Sequence, residues 1–315
     1  MSRNEDGPLH DLSIVVVTWN TCAVTLECLS SIYSSSVREI IVVDNGSQDG
    51  TAAAIAQRFP AVVLIRNPDN RGYAIANNQG VKVSTGKYVL LLNSDTRPDI
   101  ASIRILLDHL VNDPTLGAVG PQLFQPDGTL QSSAAGGRLT LGSALANNLL
   151  LSSLMPSVFS GYSLPQRRYV NSPPVAVGWV SGAAMMTRRE VFEAVGGLPE
   201  HQFMYAEDVE FCENVTAAGY RVEYVPAARI EHLNGYSSSR SGEINTRWLT
   251  ATFAYYRRTR PHGSTRALAG TFALGALVQL ALSPLSAISS LEFMRERMRR
   301  NLSYLLVSMK AMISG

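Results

Sequence analysis

The sequence predicts an α/β fold, in which a mostly parallel sheet carries helices on both faces, followed by a separate helical tail. Strand-like and helix-like runs alternate through the first 120 residues, which is typical of parallel sheets built from strand–helix–strand units. The strand-like runs are almost wholly apolar, as in strands that are buried on both faces. Residues 267–290 contain no charged side chain, which sets the tail apart.

The N-terminal part of the chain contains five strand-like runs separated by four helix-like runs. The strands are predicted at 13–18, 39–43, 62–65, 88–92 and 116–121, and the helices at 22–33, 50–59, 73–83 and 100–111. Thr18, Asp44 and Asp95 lie at or just beyond the ends of three of these strands. Because ligands of open α/β sheets bind beyond the carboxyl ends of the strands, we expect these residues to converge at one edge.

The pattern weakens between residues 127 and 174, where frequent Gly, Ser, Pro and Asn predict loops and short helices. Beyond this region the predicted elements are a strand at 175–187, helices at 189–195 and 207–218, and short strands at 221–225 and 229–232. We therefore divide the chain into a flexible N-terminus at 1–11, an α/β domain at 12–255 with halves at 12–122 and 123–255, and C-terminal helices at 256–315.

Composition excludes several classes of protein. The 315 residues are 46% hydrophobic and 17% charged, which is a globular composition. A net charge of +2 shows no general bias towards nucleic acid, so we expect no nucleic-acid partner. Three cysteines without paired metal spacing fit a reducing compartment. Residues 1–11 have no apolar core typical of a secretory signal, so we expect the protein to be cytoplasmic.

The tail has the composition of a segment that contacts a membrane. Residues 267–290 approach the length of a span, but arginines flank both ends, which is awkward for a single span under the positive-inside rule. A helical hairpin kinked near Pro284, or a segment in the membrane interface, fits better. An amphipathic helix with a basic polar face follows, and its apolar positions are Leu291, Met294, Met298, Leu302, Leu305 and Met309. We expect association with the inner face of the cell membrane.

The strand ends favour a metal or nucleotide site over a dinucleotide site. The first strand is followed by TWNTCA and not by G-x-G-x-x-G, so an NAD-dependent oxidoreductase is disfavoured. Asp95 could bind Mg²⁺ or Mn²⁺, since these ions take few protein carboxylates and complete their shell with substrate phosphates and water. The alternatives are that Asp44 caps a turn in DNGSQDG and that Asp95 caps the chain before Arg97.

The stretch NPDNRGYAIANNQG could hold a phosphate. Asn70, Arg71 and Gly72 precede a helix that displays Asn77 and Asn78. Helix N-termini bind anions, and an arginine there suits a phosphate group. The alternative is an ordinary loop followed by a helix with a polar face.

Two adjacent acids and one histidine could take part in proton or metal chemistry. Glu207 and Asp208 open a helix, where acids also favour the helix dipole. One of them could act as a general base that takes a proton from a hydroxyl nucleophile. His232 follows a short strand and precedes a Gly/Ser loop, so it could be a ligand in the same cleft or a structural histidine.

Taken together, these motifs resemble those of family 2 glycosyltransferases with the GT-A fold, which has a Rossmann-like sheet, and especially the bacterial rhamnosyltransferase-like branch. The resemblance covers roughly residues 12–240. It is carried by SIVVVTWN, IIVVDNGSQDGT, NRGYAIANNQG, YVLLLNSDT, VGWVSGAAMMTRREVFEAVGGLPE and FMYAEDVEFCENVTAAGYRV, in this order.

The resemblance implies an inverting transfer of a sugar from a nucleotide-diphosphate sugar to an acceptor hydroxyl. Residues 12–122 would form the nucleotide-binding half, in which Asp44 holds the base or ribose and Asp95, the last acid of a D-x-D motif, binds Mg²⁺ or Mn²⁺. The donor-binding set is Thr18, Asn20, Asp44, Asn70, Arg71, Gly72, Asn78, Asn93, Ser94 and Asp95.

On the acceptor side, residues 123–255, the resemblance implies that Asp208 is the catalytic base within an E-D pair. Trp179 and Gly182 resemble the W-x-x-G motif, and together with Glu207 they would contact the acceptor. His232 looks like the histidine that some members use as a further metal ligand. The acceptor would be a lipid-linked or cell-surface glycan, and the donor dTDP-rhamnose or a UDP-hexose.

One departure from the family pattern motivates an alternative. The first acid of D-x-D is Asn93, which removes a charge but keeps a hydrogen-bonding side chain. A non-catalytic nucleotide-sugar binding protein at the membrane would bind donor without turnover. A membrane scaffold, whose function would lie in the tail, is a further alternative, but it does not explain the motifs of residues 12–240.

Overall fold

The computed structural model describes residues 8–34, 36–155, 157–165, 169–233, 244–284 and 290–314. The chain divides into two compact units. The α/β unit comprises residues 1–136, 164–203 and 207–238, and the helical unit comprises residues 137–163, 204–206 and 239–315. Residues 137–163 and 239–255, which the sequence groups with the α/β domain, therefore cluster with the C-terminal helices. The division into nucleotide and acceptor halves stays a prediction.

The α/β unit is built from strands and helices that largely follow the predicted order. Its strands are β1 (Leu12–Thr18), β2 (Glu39–Asp44), β3 (Val63–Arg66), β4 (Tyr88–Asn93), β5 (Thr96–Arg97), β6 (Leu116–Phe124), β7 (Ala135–Gly136), β8 (Val175–Ala176), β9 (Trp179–Val180), β10 (Ala184–Arg188) and β11 (Arg221–His232). Its helices are α1 (Cys22–Ile32), α2 (Thr51–Arg58), α3 (Tyr73–Val83), α4 (Ile100–Asn112), α7 (Arg189–Ala194) and α8 (Glu207–Ala217).

Among the described residues these strands form one mixed sheet, in the order β3-β2-β1-β4-β10-β6-β11-β5, with β8 paired to β11; β7 and β9 pair separately. Strands β3, β2, β1 and β4 are parallel, as are β6 and β11. Strand β10 runs antiparallel between β4 and β6. The parallel pairing that the sequence predicts therefore holds in two blocks, and β10 reverses direction between them.

Three predicted details are corrected by the structure. The apolar run at 175–187 is three short strands, because the turn residues Gly178 and Gly182 interrupt it. The strands at 221–225 and 229–232 are one strand, β11, whose register against β6 shifts between Val225 and Arg229. Residues 8–11, expected to be flexible, form a 3-10 helix in which Leu9 is buried. Residues 1–7 of that predicted terminus lie outside the described residues.

Buried central strands and close helix packing form the core of the α/β unit. In β1, β2 and β4 nearly every residue is buried, which explains their almost uniformly apolar sequence. A Cβ added at Gly80 of α3 would lie 2.3 Å from Cγ1 of Val15 in β1. Asp49 links the first two helices, since its carboxylate accepts hydrogen bonds from the backbone N–H groups of Cys22 and Thr51.

The helical unit contains α5 (Leu141–Asn148), α6 (Leu151–Leu154), α9 (Arg247–Thr259), α10 (Ser264–Leu282) and α11 (Leu291–Ser314). Helices α10 and α11 pack against each other as a hairpin, with Gly270 beside Met312. Helix α10 also packs against α5 and α9. Within the described residues, α10 alone is long and apolar enough to cross a membrane, and 39% of its most apolar stretch is buried against the protein.

We expect Gly80→Ala to lower the free energy of unfolding by about 1–3 kcal/mol, because the added methyl group overpacks the contact with the stiff side chain of Val15. Helix propensity alone would raise the free energy of unfolding by about 1 kcal/mol, because alanine favours a helix more than glycine does. Gly142→Ala is the matched control, since only Thr140 Oγ1 lies near its added Cβ, at 3.9 Å. Urea denaturation of both variants is the measurement. A Gly80→Ala protein as stable as Gly142→Ala would contradict this account of the α3–β1 contact.

Candidate active site

The predicted convergence of strand ends is present at the carboxyl edge of the parallel block. Thr18 of β1 is directly opposite Asp44 of β2, and Val17 is opposite Asn93 of β4. The polar ends of three neighbouring strands therefore lie side by side. This is the position at which open α/β sheets bind ligands.

Thr18 and Ser94 are part of a buried hydroxyl cluster beneath this edge. Thr18 Oγ1 lies 3.0 Å from Thr21 Oγ1 and 2.8 Å from Thr25 Oγ1. Ser94 Oγ joins the cluster at 3.2 Å from Thr21 Oγ1. The hydroxyls satisfy one another's hydrogen-bonding capacity at the start of α1. This buried cluster therefore helps to fix the position of the strand ends.

Asn20 organises the loop that follows β2. It adopts a left-handed conformation with φ of 52°, which asparagine tolerates better than most residues. Its Oδ1 accepts a hydrogen bond from Gln48 N at 2.7 Å, and its own N–H donates to Ser47 Oγ at 2.9 Å. Asp44 Oδ1 in turn accepts from Ser47 N at 3.1 Å, and Asp44 is buried. These bonds hold the Asp44 carboxylate in place.

Asn70, Arg71 and Gly72 form a loop that we call the N-R-G loop. A network of amide hydrogen bonds centred on Asn45 holds this loop in place. Asn45 Nδ2 donates to Asn70 Oδ1 at 2.9 Å and to the Gly72 carbonyl at 3.1 Å. Its Oδ1 accepts from Arg71 N at 3.2 Å and from Asn67 Nδ2 at 3.0 Å. The buried Asn45 therefore ties the end of β2 to the start of α3.

Gly72 and Arg71 have different roles in this loop. Gly72 has a φ of 89°, and a Cβ there would lie 2.6 Å from the Phe203 carbonyl oxygen, so only glycine fits. Arg71 is exposed, and its guanidinium makes no hydrogen bond with any described residue. An exposed guanidinium beside a helix N-terminus can bind a phosphate.

Asn78, predicted from the sequence to bind donor, has its amide occupied elsewhere. Its Nδ2 donates to the Leu198 carbonyl at 2.8 Å and to Glu200 Oε1 at 2.9 Å, and its Oδ1 accepts from Leu198 N at 2.9 Å. These bonds attach α3 to the segment after α7. The structure does not bring the Asn78 amide together with the strand ends.

Asp95 and His232 lie next to each other at the end of the sheet. Residues Thr96 and His232 pair across β5 and β11, which brings His232 Nε2 to 3.3 Å from Asp95 Oδ1. Both side chains are buried. Asn93 Nδ2 lies 3.5 Å from the same Nε2. The structure therefore brings both predicted metal ligands together with the asparagine that replaces the first acid.

Gln131 orients the His232 ring. Its Nε2 donates to the His232 carbonyl at 2.5 Å, which leaves its Oε1 to accept a hydrogen bond from His232 Nδ1 at 2.9 Å. The proton of a neutral ring is therefore on Nδ1, and the lone pair of Nε2 faces Asp95. Two ligand atoms at right angles on an octahedral ion with bonds of about 2.1 Å lie about 3 Å apart. The pair therefore fits a shared divalent cation.

At this candidate metal site the described residues offer two possible protein ligands, Asp95 and His232. Among the described residues, no group of three or more His, Cys, Asp and Glu side chains could hold a metal ion. Magnesium and manganese sites in which a substrate diphosphate supplies further oxygens need only one or two protein carboxylates. The residue types present agree with such a shared site.

Glu207 and Asp208 open helix α8 in different environments. Glu207 is buried, and its Oε2 has no hydrogen-bond partner among the described residues. Asp208 is half-buried, and its two oxygens accept hydrogen bonds from Gly182 N at 3.0 Å and Val209 N at 2.8 Å. The two preceding residues, Tyr205 and Ala206, have positive φ of 73° and 68°, a conformation that costs free energy in residues with a side chain.

Burial controls the protonation of both acids. It raises the pKa of Glu207 to about 8, and the neighbouring charge of Asp208 adds to the effect. Burial also raises the pKa of Asp208, although hydrogen bonds from the backbone N–H groups of Gly182 and Val209 oppose this increase. Near neutral pH the buried Glu207 therefore keeps its proton, and Asp208 is the acid better placed to carry charge.

Gly182 links Asp208 to Tyr73, the residue that follows the N-R-G loop. Its N–H holds Asp208, and its carbonyl accepts a hydrogen bond of 2.5 Å from the Tyr73 hydroxyl. A Cβ at position 182 would lie 2.9 Å from that hydroxyl, so the contact needs glycine. Tyr73 directly follows Gly72, and burial together with the charges of Glu207 and Asp208 raises its pKa well above the usual value. The hydroxyl is therefore a hydrogen-bond donor.

The other residue of the predicted W-x-x-G motif lies on the same side. Trp179 is partly buried in β9, which pairs with β7 and packs against α8. Its register partner is Gly136. The structure therefore places both motif residues beside the helix that carries Glu207 and Asp208.

Sequence reasoning missed three residues that organise the site, namely Asn45, Tyr73 and Gln131. Asn45 and Tyr73 stand inside quoted motifs, directly after Asp44 and Gly72, so their position was a usable signal. Gln131 lies in the region where the sequence pattern is weak, and it reaches His232 across 101 residues of chain. No local signal in the sequence marks that contact.

The chain is similar to known proteins over most of its length. Residues 13–196 match the model of glycosyl transferase family 2, and residues 144–309 match that of glycosyl transferase family 21. An N-acetylglucosaminyl-diphospho-decaprenol L-rhamnosyltransferase of Mycobacterium tuberculosis is 31% identical over 244 residues, which cover 73% of this chain and 78% of that relative.

Solved structures share the fold. A mannosyltransferase from Pyrobaculum calidifontis, in complex with GDP-Man and Mn²⁺, superposes with a TM-score of 0.59 at 20% identity, and covers 96% of this chain and 87% of the other. TarS from S. aureus gives a TM-score of 0.51 at 15% identity, with coverage of 96% and 92%. At such identities the likeness establishes the GT-A fold alone.

The family 2 match extends over more than half of the chain, and the rhamnosyltransferase relative aligns with most of it. These matches agree with the motif resemblance and with the mixed sheet. A non-catalytic binding protein is therefore not retained as an interpretation. The chain belongs to glycosyl transferase family 2, in its rhamnosyltransferase-like branch, and is a glycosyltransferase with the GT-A fold.

Proposed function

We propose that the protein transfers a sugar, with inversion, from a nucleotide-diphosphate sugar to a hydroxyl of a lipid-linked or cell-surface glycan. The first candidate donor is dTDP-rhamnose, because of the similarity to a rhamnosyltransferase, and a UDP-hexose is the second. The observation that carries the proposal is the Asp208 carboxylate, which two backbone N–H groups hold beside the carboxyl edge of the sheet.

The donor would lie across the ends of β2, β1 and β4. Asp44 would bind the base or ribose of the nucleotide, and Arg71 would bind the diphosphate. The Asn45 network holds Asn70 and Arg71 against the end of β2 in one conformation, so less conformational entropy is lost when the donor binds. Thr18, Asn20 and Ser94 support this surface by their internal hydrogen bonds, and Asn78 positions α3.

Asp95 and His232 would hold Mg²⁺ or Mn²⁺ at the diphosphate. When bound, such an ion supplies positive charge that stabilises the leaving nucleoside diphosphate. Gln131 keeps the lone pair of His232 Nε2 directed at Asp95. The Asn93 amide, 3.5 Å from Nε2, replaces a second carboxylate and lowers the negative charge of the protein at this point.

The transfer itself is a single displacement. Asp208 takes the proton of the acceptor hydroxyl while that oxygen forms a bond to the anomeric carbon of the sugar. The bond from this carbon to the phosphate oxygen breaks, and its electron pair leaves with the nucleoside diphosphate. The Gly182 and Val209 N–H groups hold the carboxylate in one orientation for the proton transfer.

Glu207 keeps the acid pair at one negative charge near neutral pH. Its raised pKa leaves it protonated, and we assign this neutral acid to the acceptor side of the cleft. Because Glu207 is neutral, no second carboxylate charge repels the Asp208 carboxylate. Trp179 and Gly182 would line the acceptor side of the same cleft.

A lipid-linked acceptor would require the protein to work at a membrane. We infer a cytoplasmic protein associated with the inner face of the cell membrane through its C-terminal helices. The relative from Mycobacterium tuberculosis acts, by its name, on a decaprenol-linked substrate. Helix α10 is the described segment whose length and apolar character agree with membrane contact.

We expect Asp208→Asn to lower the rate of sugar transfer by about 10²–10⁴-fold, because the amide cannot accept the acceptor proton. Nucleotide binding should stay near the wild-type value, since Asp208 lies on the acceptor side. The measurement is release of nucleoside diphosphate from the donor, with calorimetry for binding. Glu190→Gln, which removes an exposed acid from α7, is the control. Wild-type transfer by Asp208→Asn would remove this residue from the mechanism.

We expect Mn²⁺ to tighten the binding of UDP or dTDP by about tenfold or more, equivalent to about 1.4 kcal/mol, and Asp95→Asn to abolish this gain. Calorimetric titrations of UDP, dTDP, GDP and NAD with and without Mn²⁺ test this and identify the preferred base. Asp108→Asn on the exposed face of α4 should keep the full effect of Mn²⁺. Binding of NAD alone, or an undiminished effect in Asp95→Asn, would contradict the proposed site.

We expect Glu207→Gln to remove a pH dependence from the stability of the fold. The native state keeps the Glu207 proton up to a pKa of about 8, whereas the unfolded chain loses it near the ordinary value of 4.5. Wild-type stability should therefore fall as pH rises through this window, while Glu207→Gln should change less. Urea denaturation from pH 5 to pH 9 measures this, with Glu190→Gln as control. If the plots of unfolding free energy against pH were parallel for wild type and Glu207→Gln, burial would not keep Glu207 protonated.

A further inference from the structure

Charge is distributed unevenly between the two units of the chain. The helical unit contains twelve Arg and Lys residues against three Glu residues, a formal net charge of +9. The whole chain carries +2, so the α/β unit carries −7. The small net charge of the protein therefore conceals a strongly basic helical unit. Such a unit attracts surfaces with high negative charge density.

Exposed apolar side chains are concentrated in the same unit. Of the twenty large apolar side chains that are exposed among the described residues, fourteen belong to the helical unit. This unit comprises only about a third of the chain. Single exposed apolar residues need no explanation, but their concentration in one unit marks a surface that another molecule covers.

Helix α11 turns much of its apolar side outward. Six of the seven large apolar side chains that are exposed among its described residues, all except Phe293, follow one another at intervals of seven, four, four, three and four residues, and at 100° per residue these six fall within an arc of about 80°. We call this set the outer stripe, and its members are Leu291, Met298, Leu302, Leu306, Met309 and Ile313.

The face of α11 that packs against the unit is mixed in polarity, whereas the outer stripe is wholly apolar. On the inward face the Tyr304 ring packs against Trp248, and Met312 lies beside Gly270. Asn301, Ser308 and Ala311 are buried there, and Asn301 Nδ2 has no hydrogen-bond partner among the described residues. A helix in water usually buries its leucines and exposes its asparagines. The orientation of α11 therefore indicates that the outer stripe is covered by an apolar partner outside the unit.

A second apolar patch lies in the segment that contains α5 and α6. Its exposed members are Leu141, Leu145, Leu154, Met155 and Val158. Helices α5 and α11 both pack against α10, so the two patches belong to one helical cluster. The sequence pattern predicted only loops and short helices here, because Gly, Ser, Pro and Asn interrupt the apolar residues.

We propose that the outer stripe of α11 and the exposed residues of 141–158 dock onto the surface of a bilayer rich in anionic phospholipid. This inference rests on the proposed function, in which the acceptor is lipid-linked. The apolar side chains enter the boundary between headgroups and acyl chains, and the arginines of the unit contact the lipid phosphates. The helical unit thus lies on the membrane and does not span it.

Charge and packing favour docking on lipid over two alternatives, which are binding of a second copy of the chain and a membrane span by α10. A second copy of the chain would place two units of charge +9 against each other, which repulsion opposes. A span by α10 would require its contacts with α5, α9 and α11 to break, since 39% of its most apolar stretch is buried in them. Docking on a bilayer keeps these contacts and satisfies both the charge and the apolar surface.

The test is flotation of the full-length protein with vesicles of phosphatidylcholine alone and of phosphatidylcholine mixed with phosphatidylglycerol. We expect binding to the anionic vesicles only, and release by high salt. Leu302→Gln/Leu306→Gln and Leu154→Gln/Met155→Gln should each weaken binding by about tenfold. Arg295→Gln/Arg300→Gln should weaken it by a similar factor, since each charge near an anionic surface contributes to binding.

The matched control is Val63→Gln/Val83→Gln, which replaces two exposed apolar residues of the α/β unit and should bind as wild type. Equal binding to neutral vesicles, binding that resists high salt, or unchanged binding of both Gln pairs in the helical unit would overturn the proposal. So would light scattering that shows a dimer which Leu302→Gln/Leu306→Gln dissociates, because the stripe would then be an interface between copies.

Nucleotide binding separates this inference from the proposed function. If vesicle binding fails while UDP or dTDP still binds more tightly with Mn²⁺, the docking surface is wrong and the donor site stands. If vesicles bind as expected but no nucleotide does, the docking surface stands and the proposed function fails. Neither measurement depends on the identity of the acceptor.

Discussion

The in-register pairing of β2, β1 and β4 is the constraint on which the rest of the site depends. Because these parallel strands end at one level, Asp44, Thr18 and Asn93 lie at the same edge of the sheet. The strands are buried on both faces, so a shift of register would expose apolar residues to water. The hydrophobic core therefore fixes the spacing of polar groups that do not themselves stabilise it.

Strand β10 connects this parallel block to the second half of the site. Its antiparallel pairing with β4 brings residues 181–183 over the end of β4, where Asn93 N donates to the Ala183 carbonyl. Gly182 then contacts Asp208 through its N–H and Tyr73 through its carbonyl. Tyr73, which follows the N-R-G loop, and the proposed base are thus joined through one residue that tolerates no side chain. This arrangement gives a physical route by which donor binding and base orientation can be coupled.

The two units of the chain differ in charge and surface as well as in secondary structure. The α/β unit is acidic and buries its apolar residues, as a soluble enzyme domain does, whereas the helical unit is basic and exposes many of them. In the proposed arrangement this difference assigns the chemistry to one unit and the contact with a lipid surface to the other. A glycosyltransferase whose acceptor is attached to a lipid has a use for both properties, since the two substrates come from different phases.

The sequence alone determined most of the order of strands and helices in the first 120 residues, the residues at the strand ends and the family. These follow from local periodicity and from motifs whose residues are close in the chain, such as N-R-G-Y and E-D. Only the tertiary structure decided the partners of those residues, because Gln131 and His232, or Gly182 and Asp208, are far apart in the chain and meet through the packing of the folded unit. It also decided which side of α11 faces outward and that residues 137–163 join the helical unit. Amphipathic periodicity specifies that a helix has an apolar side, but packing decides what that side contacts.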